Sequence, residues 1–141
     1  MSKLMTIVKR NQGANNNIRR AYNAGIIKNI TKRLSPMYSF YPNMILRNGG
    51  SRYSVFNNTG NFVGFASVRN YGNTREIEFI ATKKGYGNQL LHHITSNAKK
   101  NKKKTIELTA ANTSNKGSLV KWYQNRGFKS IRGGANMKKN I

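Results

Sequence analysis

The sequence contains no cysteine, two prolines and three acidic residues, and it has no long run of apolar residues. The absence of cysteine excludes disulfide bonds, thiolate metal sites and a cysteine nucleophile. Its apolar runs are too short to cross a bilayer, and residues 1–10 lack the apolar core of a signal peptide. His92 and His93 point to different sides of a predicted helix, so we expect no metal site.

Negative charge is nearly absent. The acidic residues are Glu76, Glu78 and Glu107, and 26 lysines and arginines give a formal net charge of +23. So strong a field of one sign opposes compaction and attracts polyanions. We therefore expect a partner that is nucleic acid or an acidic protein in a larger assembly, inside the cell or in a virion. The alternative is a basic surface that serves solubility alone.

Two basic clusters are the candidate polyanion contacts. The first is Arg19 and Arg20, and the second comprises Lys99, Lys100, Lys102, Lys103 and Lys104. The lysines follow a predicted helix, where cations also suit the negative end of the helix dipole. A solvated helix end is therefore the alternative to a phosphate-binding patch.

The length and composition indicate one folded domain after a basic arm. At 141 residues with 37% hydrophobic residues, the chain is long enough for one core. Residues 1–23 combine a short apolar start, an asparagine-rich stretch and a basic pair, which predicts a flexible arm that orders on a partner. Residues 24–141 form the predicted domain. It begins with a helix, and Asn57–Gly60 then marks the turn of a hairpin in an antiparallel meander.

One segment has the pattern of a phosphate-binding turn. It consists of Lys84, Gly85, Tyr86, Gly87 and Asn88, and an amphipathic helix follows it. Its two glycines let backbone amides approach a ligand closely, and the helix directs the positive end of its dipole at the same place. The alternative is an ordinary turn between a strand and a helix.

The elements around this turn follow a definite order. Arg75–Ala81 alternates charged and apolar residues as a strand does, and it precedes the turn and the helix. A second strand follows at Thr105–Ala110, and then a short helix that Gly127 ends. This order, closing in Tyr-x-x-x-Gly-Phe, resembles the GNAT superfamily of acetyl-CoA-dependent N-acetyltransferases over residues 62–128. The wording Glu-Ile-Glu-Phe-Ile-Ala most resembles the histone acetyltransferase branch of that superfamily.

The resemblance implies a fold, a cofactor and roles for individual residues. The fold is α/β, a mixed and largely antiparallel sheet flanked by helices. The cofactor is acetyl-CoA, whose pyrophosphate binds the turn from Lys84 to Asn88, with Asn115 as a further contact. Glu76 matches the general base of the histone-acetylating branch. Tyr123 matches the tyrosine that protonates the leaving thiolate.

Both catalytic candidates also have a structural interpretation. For Glu76 it is a cross-strand charge pair with Arg69 or Arg75, with Glu78 as the substitute base. For Tyr123 it is a place in the core of an amphipathic helix.

The sequence departs from the family pattern just before the glycine turn. Only Thr82, Lys83 and Lys84 separate Ala81 from Gly85, where the family has several more residues. Thr82 also stands where glutamine or arginine is usual. This contraction favours a fold retained without catalysis, whereas the matched site residues favour an active enzyme.

Two functions of different class follow. One is an acetyl-CoA-dependent N-acetyltransferase that acts at or within a nucleoprotein assembly. The other is a catalytically inactive protein of the same fold that serves as a basic structural component of a virion or ribonucleoprotein particle.

Overall fold

A computed structural model describes residues 5–8, 11–32, 50–110, 112–113 and 117–141. Within these ranges the strands are β1 (Met5–Val8), β2 (Ser51–Asn57), β3 (Phe62–Tyr71), β4 (Thr74–Thr82), β5 (Thr105–Thr109), β6 (Asn112–Thr113), β7 (Gly117–Ser118), β8 (Lys129–Ser130) and β9 (Asn136–Asn140). The helices there are α1 (Asn11–Asn23), α2 (Ile26–Thr31), α3 (Gly87–Lys100) and α4 (Val120–Gln124).

The main sheet has the strand order β1-β2-β3-β4-β5-β9-β8, and β6 pairs with β7 in a separate ribbon. The strands β1 to β4 form an antiparallel meander, and β9 runs antiparallel to both of its neighbours. The parallel pair is β4 and β5, which α3 connects as a crossover. This confirms the predicted mixed, largely antiparallel sheet flanked by helices.

Helices cover both faces of the sheet, and each face has its own core. On the face that we call the α3 face, that helix buries Leu90, Leu91, Ile94 and Ala98, the apolar stripe expected from the spacing. On the opposite face, the α1/α2 face, the two N-terminal helices pack over Phe62 and Phe65. Each fully buried side chain of this size contributes about 1.5–3 kcal/mol to folding.

The N-terminal segment differs from the predicted flexible arm. β1 pairs with β2 from Met5 to Val8, and α1 covers residues 11–23. Ala14, Ile18 and Ala21 are buried on one side of α1, and Asn17 Nδ2 donates a 3.0 Å hydrogen bond to Ser54 Oγ of β2. Residues 5–8 and 11–23 therefore pack as part of the domain, because three apolar residues at helical spacing give α1 a face that fits the sheet.

The strand β4 carries the features that place the site. β5 pairs with β4 only from Thr74 to Ile77, whereas β3 pairs with β4 as far as Thr82. Among the described residues, β5 therefore does not pair with residues 78–82 of β4, and the two strands part after Ile77. The β3–β4 register also shifts between Ser67 and Val68, which leaves Glu78 as the extra residue of a bulge.

No helix in the described part of the chain is long and apolar enough to span a membrane.

Candidate functional site

A cavity of about 510 Å³ lies where β4 opens, between the start of α3 and the helix α4. We call it the glycine pocket. Its lining comprises Ile30, Ile80, Ala81, Thr82, Lys83, Lys84, Gly85, Gly87, Asn88, Leu119, Trp122, Tyr123 and Arg126. The wall is thus apolar along the strand and the short helix, and it is basic at the turn.

The turn itself depends on its glycines. Gly85 has φ +96°, a backbone conformation that other residues adopt only with strain. A Cβ atom on Gly87 would lie 3.3 Å from Thr82 Oγ1 and 3.6 Å from Trp122 Cζ2. A side chain here would therefore fill the space between β4 and α4. Because glycine has none, the space beside Gly87 stays open, and we call it the cradle.

The helix α3 starts at this cradle. Its first hydrogen bond runs from the amide of Leu90 to the carbonyl of Tyr86 at 3.1 Å, so three backbone amides precede it. No side-chain cap bonds to this helix end at Tyr86. With Lys83 and Lys84 beside it, the helix start is a favourable place for phosphate oxygens.

The other side of the pocket is formed by α4 and the residues just after it, which contribute Trp122, Tyr123 and Arg126. Tyr123 is buried, and its ring meets those of Trp122 and Phe128 edge to face at 5.0 and 5.6 Å. Gly127 ends the helix with φ +91°, which confirms the predicted stop. Tyr123 is therefore a core residue, as its structural interpretation predicts, and it also lines the pocket.

Arg126 links the α4 side of the pocket to the start of α3, and it is not among the predicted site residues. Its guanidinium lies 3.6 Å from the centre of the Trp122 ring, and its Nε donates a 3.0 Å hydrogen bond to Asn88 Oδ1. The sequence contains a signal for this contact. Trp122 lies in a predicted helix and Arg126 follows four residues later, a spacing at which the guanidinium can stack on the ring.

A second cavity, of about 550 Å³, follows along the same strand. We call it the acidic pocket, because Glu76, Glu78 and Glu107 all line it. They are the only carboxylate side chains in the sequence. β4 supplies residues 76–78 to this pocket and residues 80–82 to the glycine pocket, so the two cavities follow each other along β4, on either side of the point where β5 stops pairing with it.

Neighbouring groups hold each of the three carboxylates. Glu76 forms an ion pair with Arg69 at 3.0 Å, which confirms that cross-strand pair. Ser67 Oγ donates a 3.2 Å hydrogen bond to Glu78, and Tyr71 Oη donates one of 2.7 Å to Glu107. The bond to Glu107, together with partial burial and nearby carboxylates, raises the pKa of Tyr71 to about 12.

The two arginines Arg52 and Arg75 are buried. Arg75 makes no ion pair with Glu76; instead it donates hydrogen bonds to Asn70 Oδ1 and Asn97 Oδ1 at 2.9 and 2.7 Å. Burial lowers the pKa of Arg52, and the nearby charge of Glu78 opposes that shift.

The structure thus gathers some predicted residues and separates others. Of the turn, Lys84, Gly85, Gly87 and Asn88 line the glycine pocket, whereas Tyr86 packs against the core. Glu76 and Tyr123 line different, adjoining cavities. Asn115 lies outside the described residues.

The contraction before Gly85 leaves the pocket intact because Thr82 itself forms part of the wall. A Cβ on Gly64 of β3 would lie 2.6 Å from Thr82 Cγ2, so the two strands touch closely there. Thr82 is buried between Gly64 and Gly87.

The basic clusters lie on two sides of the sheet. Arg19 and Arg20 are exposed on α1, and Lys99 and Lys100 are exposed at the end of α3 on the opposite face. Lys102 and Lys104 are exposed as well, but Lys103 Nζ donates a 2.9 Å hydrogen bond to the carbonyl of Gly72. Lys103 therefore also holds the β3–β4 turn to the end of α3.

Comparison with known proteins agrees with this geometry. The family profile of the GNAT acetyltransferase domain matches residues 14–141. No curated protein matches the chain.

Solved structures with the same fold include GCN5 from Tetrahymena, which is 19% identical, with a TM-score of 0.69 over 98% of this chain and 96% of that one. The ribosomal-protein-S18-alanine N-acetyltransferase from Escherichia coli is 18% identical, with a TM-score of 0.69 over 98% and 94%. The PaiA N-acetyltransferase from Thermoplasma acidophilum, in complex with coenzyme A, is 16% identical, with a TM-score of 0.64 over 98% and 99%.

Proposed function

This chain belongs to the GNAT family of acetyltransferases, and from that premise we propose that it transfers an acetyl group from acetyl-CoA to an amine at the opening of β4. The observation that carries the proposal is the adjacency of the glycine pocket and the acidic pocket along one strand. A donor and an acceptor held in adjoining cavities react as if at high local concentration.

The glycine pocket fits acetyl-CoA, the cofactor of this family. The start of α3, with Gly85, Gly87 and the two lysines of the turn, suits the pyrophosphate. The β5 pairing ends at Ile77, and the extended strand β4 beyond it suits the amides of the extended pantetheine arm, which can lie along a strand. When bound, acetyl-CoA supplies an activated acetyl thioester.

The acidic pocket suits a cationic amine. An ammonium group is attracted to carboxylates and must lose a proton before it becomes a nucleophile. Glu76 is the proposed base, since a carboxylate oxygen can accept this proton while Arg69 holds the side chain in place. Glu78, on the bulge next to the opening, is the substitute.

The hydroxyl of Tyr123 is the proposed acid on the other side. Tyr123 lines the glycine pocket, and its ring packs edge to face against those of Trp122 and Phe128. From there its proton can pass to the departing sulfur atom.

Thermal unfolding with acetyl-CoA tests the proposal. A ligand that binds only the native state raises the melting temperature by mass action, so we expect a rise that grows with acetyl-CoA concentration. Gly87→Val should abolish the rise, because its side chain occupies the cradle beside Thr82 and Trp122.

Gly134→Val is the matched control, since a Cβ at Gly134 would come no nearer than 3.8 Å to Ile131 O. It should keep the rise. A wild-type protein that shows no rise at millimolar acetyl-CoA would instead support the inactive structural alternative.

We also propose that the protein works beside a polyanion, in a nucleoprotein assembly. The net charge of +23 and the exposed lysines and arginines on both faces support this. Binding to nucleic acid should then weaken by orders of magnitude as salt rises from about 50 to about 200 mM. Neutralising Lys99, Lys100, Lys102 and Lys104 together should flatten that dependence, and binding that ignores salt or selects a sequence would contradict the proposal.

A further inference from the structure

A third cavity, of about 480 Å³, adjoins the acidic pocket, and lysines line it. We call it the lysine pocket; its lining comprises Gly127, Lys129, Ser130, Ile131, Lys138 and Asn140. Ile131 lines both the lysine pocket and the acidic pocket, and its side chain is 39% exposed. The two cavities therefore form one groove, and the apolar side chain of Ile131 lies where they meet.

The strand register puts the charges of this groove in a row. Glu76 is the partner of Glu107 across β4 and β5, Glu107 is the partner of Lys138 across β5 and β9, and Lys138 is the partner of Lys129 across β9 and β8. Partners in a sheet project from the same face. The row thus runs from two carboxylates to two ammonium groups.

Within the described residues, no ion pair neutralises the two lysines of this row. Lys129 and Lys138 are exposed, and neither of them makes an ion pair within 4.0 Å in the part of the chain that the structure describes. Two like charges on directly paired residues repel each other, which disfavours folding unless something else compensates. Glu107 lies opposite Lys138 on β5 and offsets part of this repulsion, and an anionic ligand group between the two lysines would offset the rest.

We infer that the acceptor is a peptide whose reactive amine is followed by an acidic residue, and that Lys129 and Lys138 bind the acidic side chain. The inference rests on the proposed function, which places the amine at Glu76. Neighbouring strands are about 4.8 Å apart, so Glu76 and Lys138 are separated by about 10 Å. An extended peptide covers this distance in about three residues. A second amine at that position meets like charge, so a polyamine is a poor acceptor.

Acetyl transfer to three peptides tests the inference. The peptides have the same length and a free N-terminal amine, and they carry glutamate, glutamine or lysine at both the third and fourth residues. We expect kcat/KM to fall in that order at low salt. The double variant Lys129→Gln, Lys138→Gln should reduce the preference for glutamate over glutamine by about tenfold, mainly through KM.

The variant Lys28→Gln, Lys32→Gln loses the same charge from exposed positions in and just after α2, and it should keep the preference. Equal kcat/KM for the three peptides, or an equal loss of preference in both double variants, overturns the inference. Transfer without selectivity leaves the proposed function standing. If no peptide is acetylated and acetyl-CoA does not raise the melting temperature, the proposed function has failed and the inference fails with it.

Discussion

The glycine pocket and the acidic pocket share the strand β4 but are built from different kinds of contact. The glycine pocket combines two local pieces that tertiary packing brings together: a turn with the helix start after it, and a pair of residues four apart near α4. The acidic pocket uses three glutamates from two strands, which the register of β4 and β5 brings together.

This difference separates two tasks that a transferase must perform. A wall of backbone amides, lysines and an arginine can hold a large anion without a carboxylate nearby. In the proposed function, the few carboxylates of this strongly basic chain lie where a proton must be removed. Substitutions in the two pockets should accordingly change different kinetic constants.

The largest effect should come from the acidic pocket. Glu76→Gln keeps the size of the side chain but removes the base, so turnover should fall about 10²-fold or more, or about 2.7 kcal/mol. The rise in melting temperature with acetyl-CoA should stay as in the wild type. Glu78→Gln is the companion variant: if it loses more turnover than Glu76→Gln, the roles of the two residues are exchanged.

Tyr123→Phe should come next, with a loss of turnover of a similar order. The ring and its contacts with Trp122 and Phe128 stay, so stability and binding of acetyl-CoA should change little. Turnover should recover with an activated acetyl thioester whose leaving thiol is more acidic, because that thiol leaves without protonation. An unchanged rate in the variant would assign Tyr123 to the core alone.

A smaller effect, confined to binding, should come from Arg126. Arg126→Ala removes the contact with Trp122 and the hydrogen bond to Asn88, each worth about 1 kcal/mol, so KM for acetyl-CoA should rise about tenfold or more. Turnover at saturating acetyl-CoA should stay the same. A fall in turnover with constant KM would show that the two pockets are not separate in function.

The smallest effect should be a loss of stability at alkaline pH, which comes from Tyr71 beside the acidic pocket. The pKa of Tyr71 is raised from 10.0 to about 12, so its hydroxyl stabilises the fold fully below about pH 10 and ceases to do so as pH rises through about 12. Because Tyr71 is 46% exposed, solvent screens the interaction and the contribution is small. The chain has seven tyrosines, so the measurement is the difference in tyrosinate absorbance between the wild type and Tyr71→Phe. This difference should appear near pH 12, and a difference that appears near pH 10 would contradict the bond to Glu107.

The order of elements was predictable because each element has a local pattern. The hairpin at Asn57–Gly60, the apolar stripe of α3 and the stop at Gly127 all depend on residues a few positions apart. The same locality made the lining of the glycine pocket by Lys84, Gly85, Gly87 and Asn88 predictable.

The other features depend on contacts between distant segments. α1 was interpreted as a flexible arm because its asparagines dominate its composition, although Ala14, Ile18 and Ala21 are spaced for burial against the sheet. The meeting of Glu107 with Glu76 depends on the β4–β5 register, which no local pattern specifies.

The close packing of Gly64, Thr82 and Gly87 makes these three positions depend on one another. A methyl group at position 64 would push Thr82, and Thr82 already lies next to the cradle at Gly87. These positions therefore tolerate substitution only in combination. Gly64→Ala should destabilise the fold when residue 82 is threonine, and less so when residue 82 is serine, which lacks the Cγ2 atom that the new methyl group would meet. A residue near the start of β3 therefore shares in deciding which substitutions the turn at Gly87 can accept.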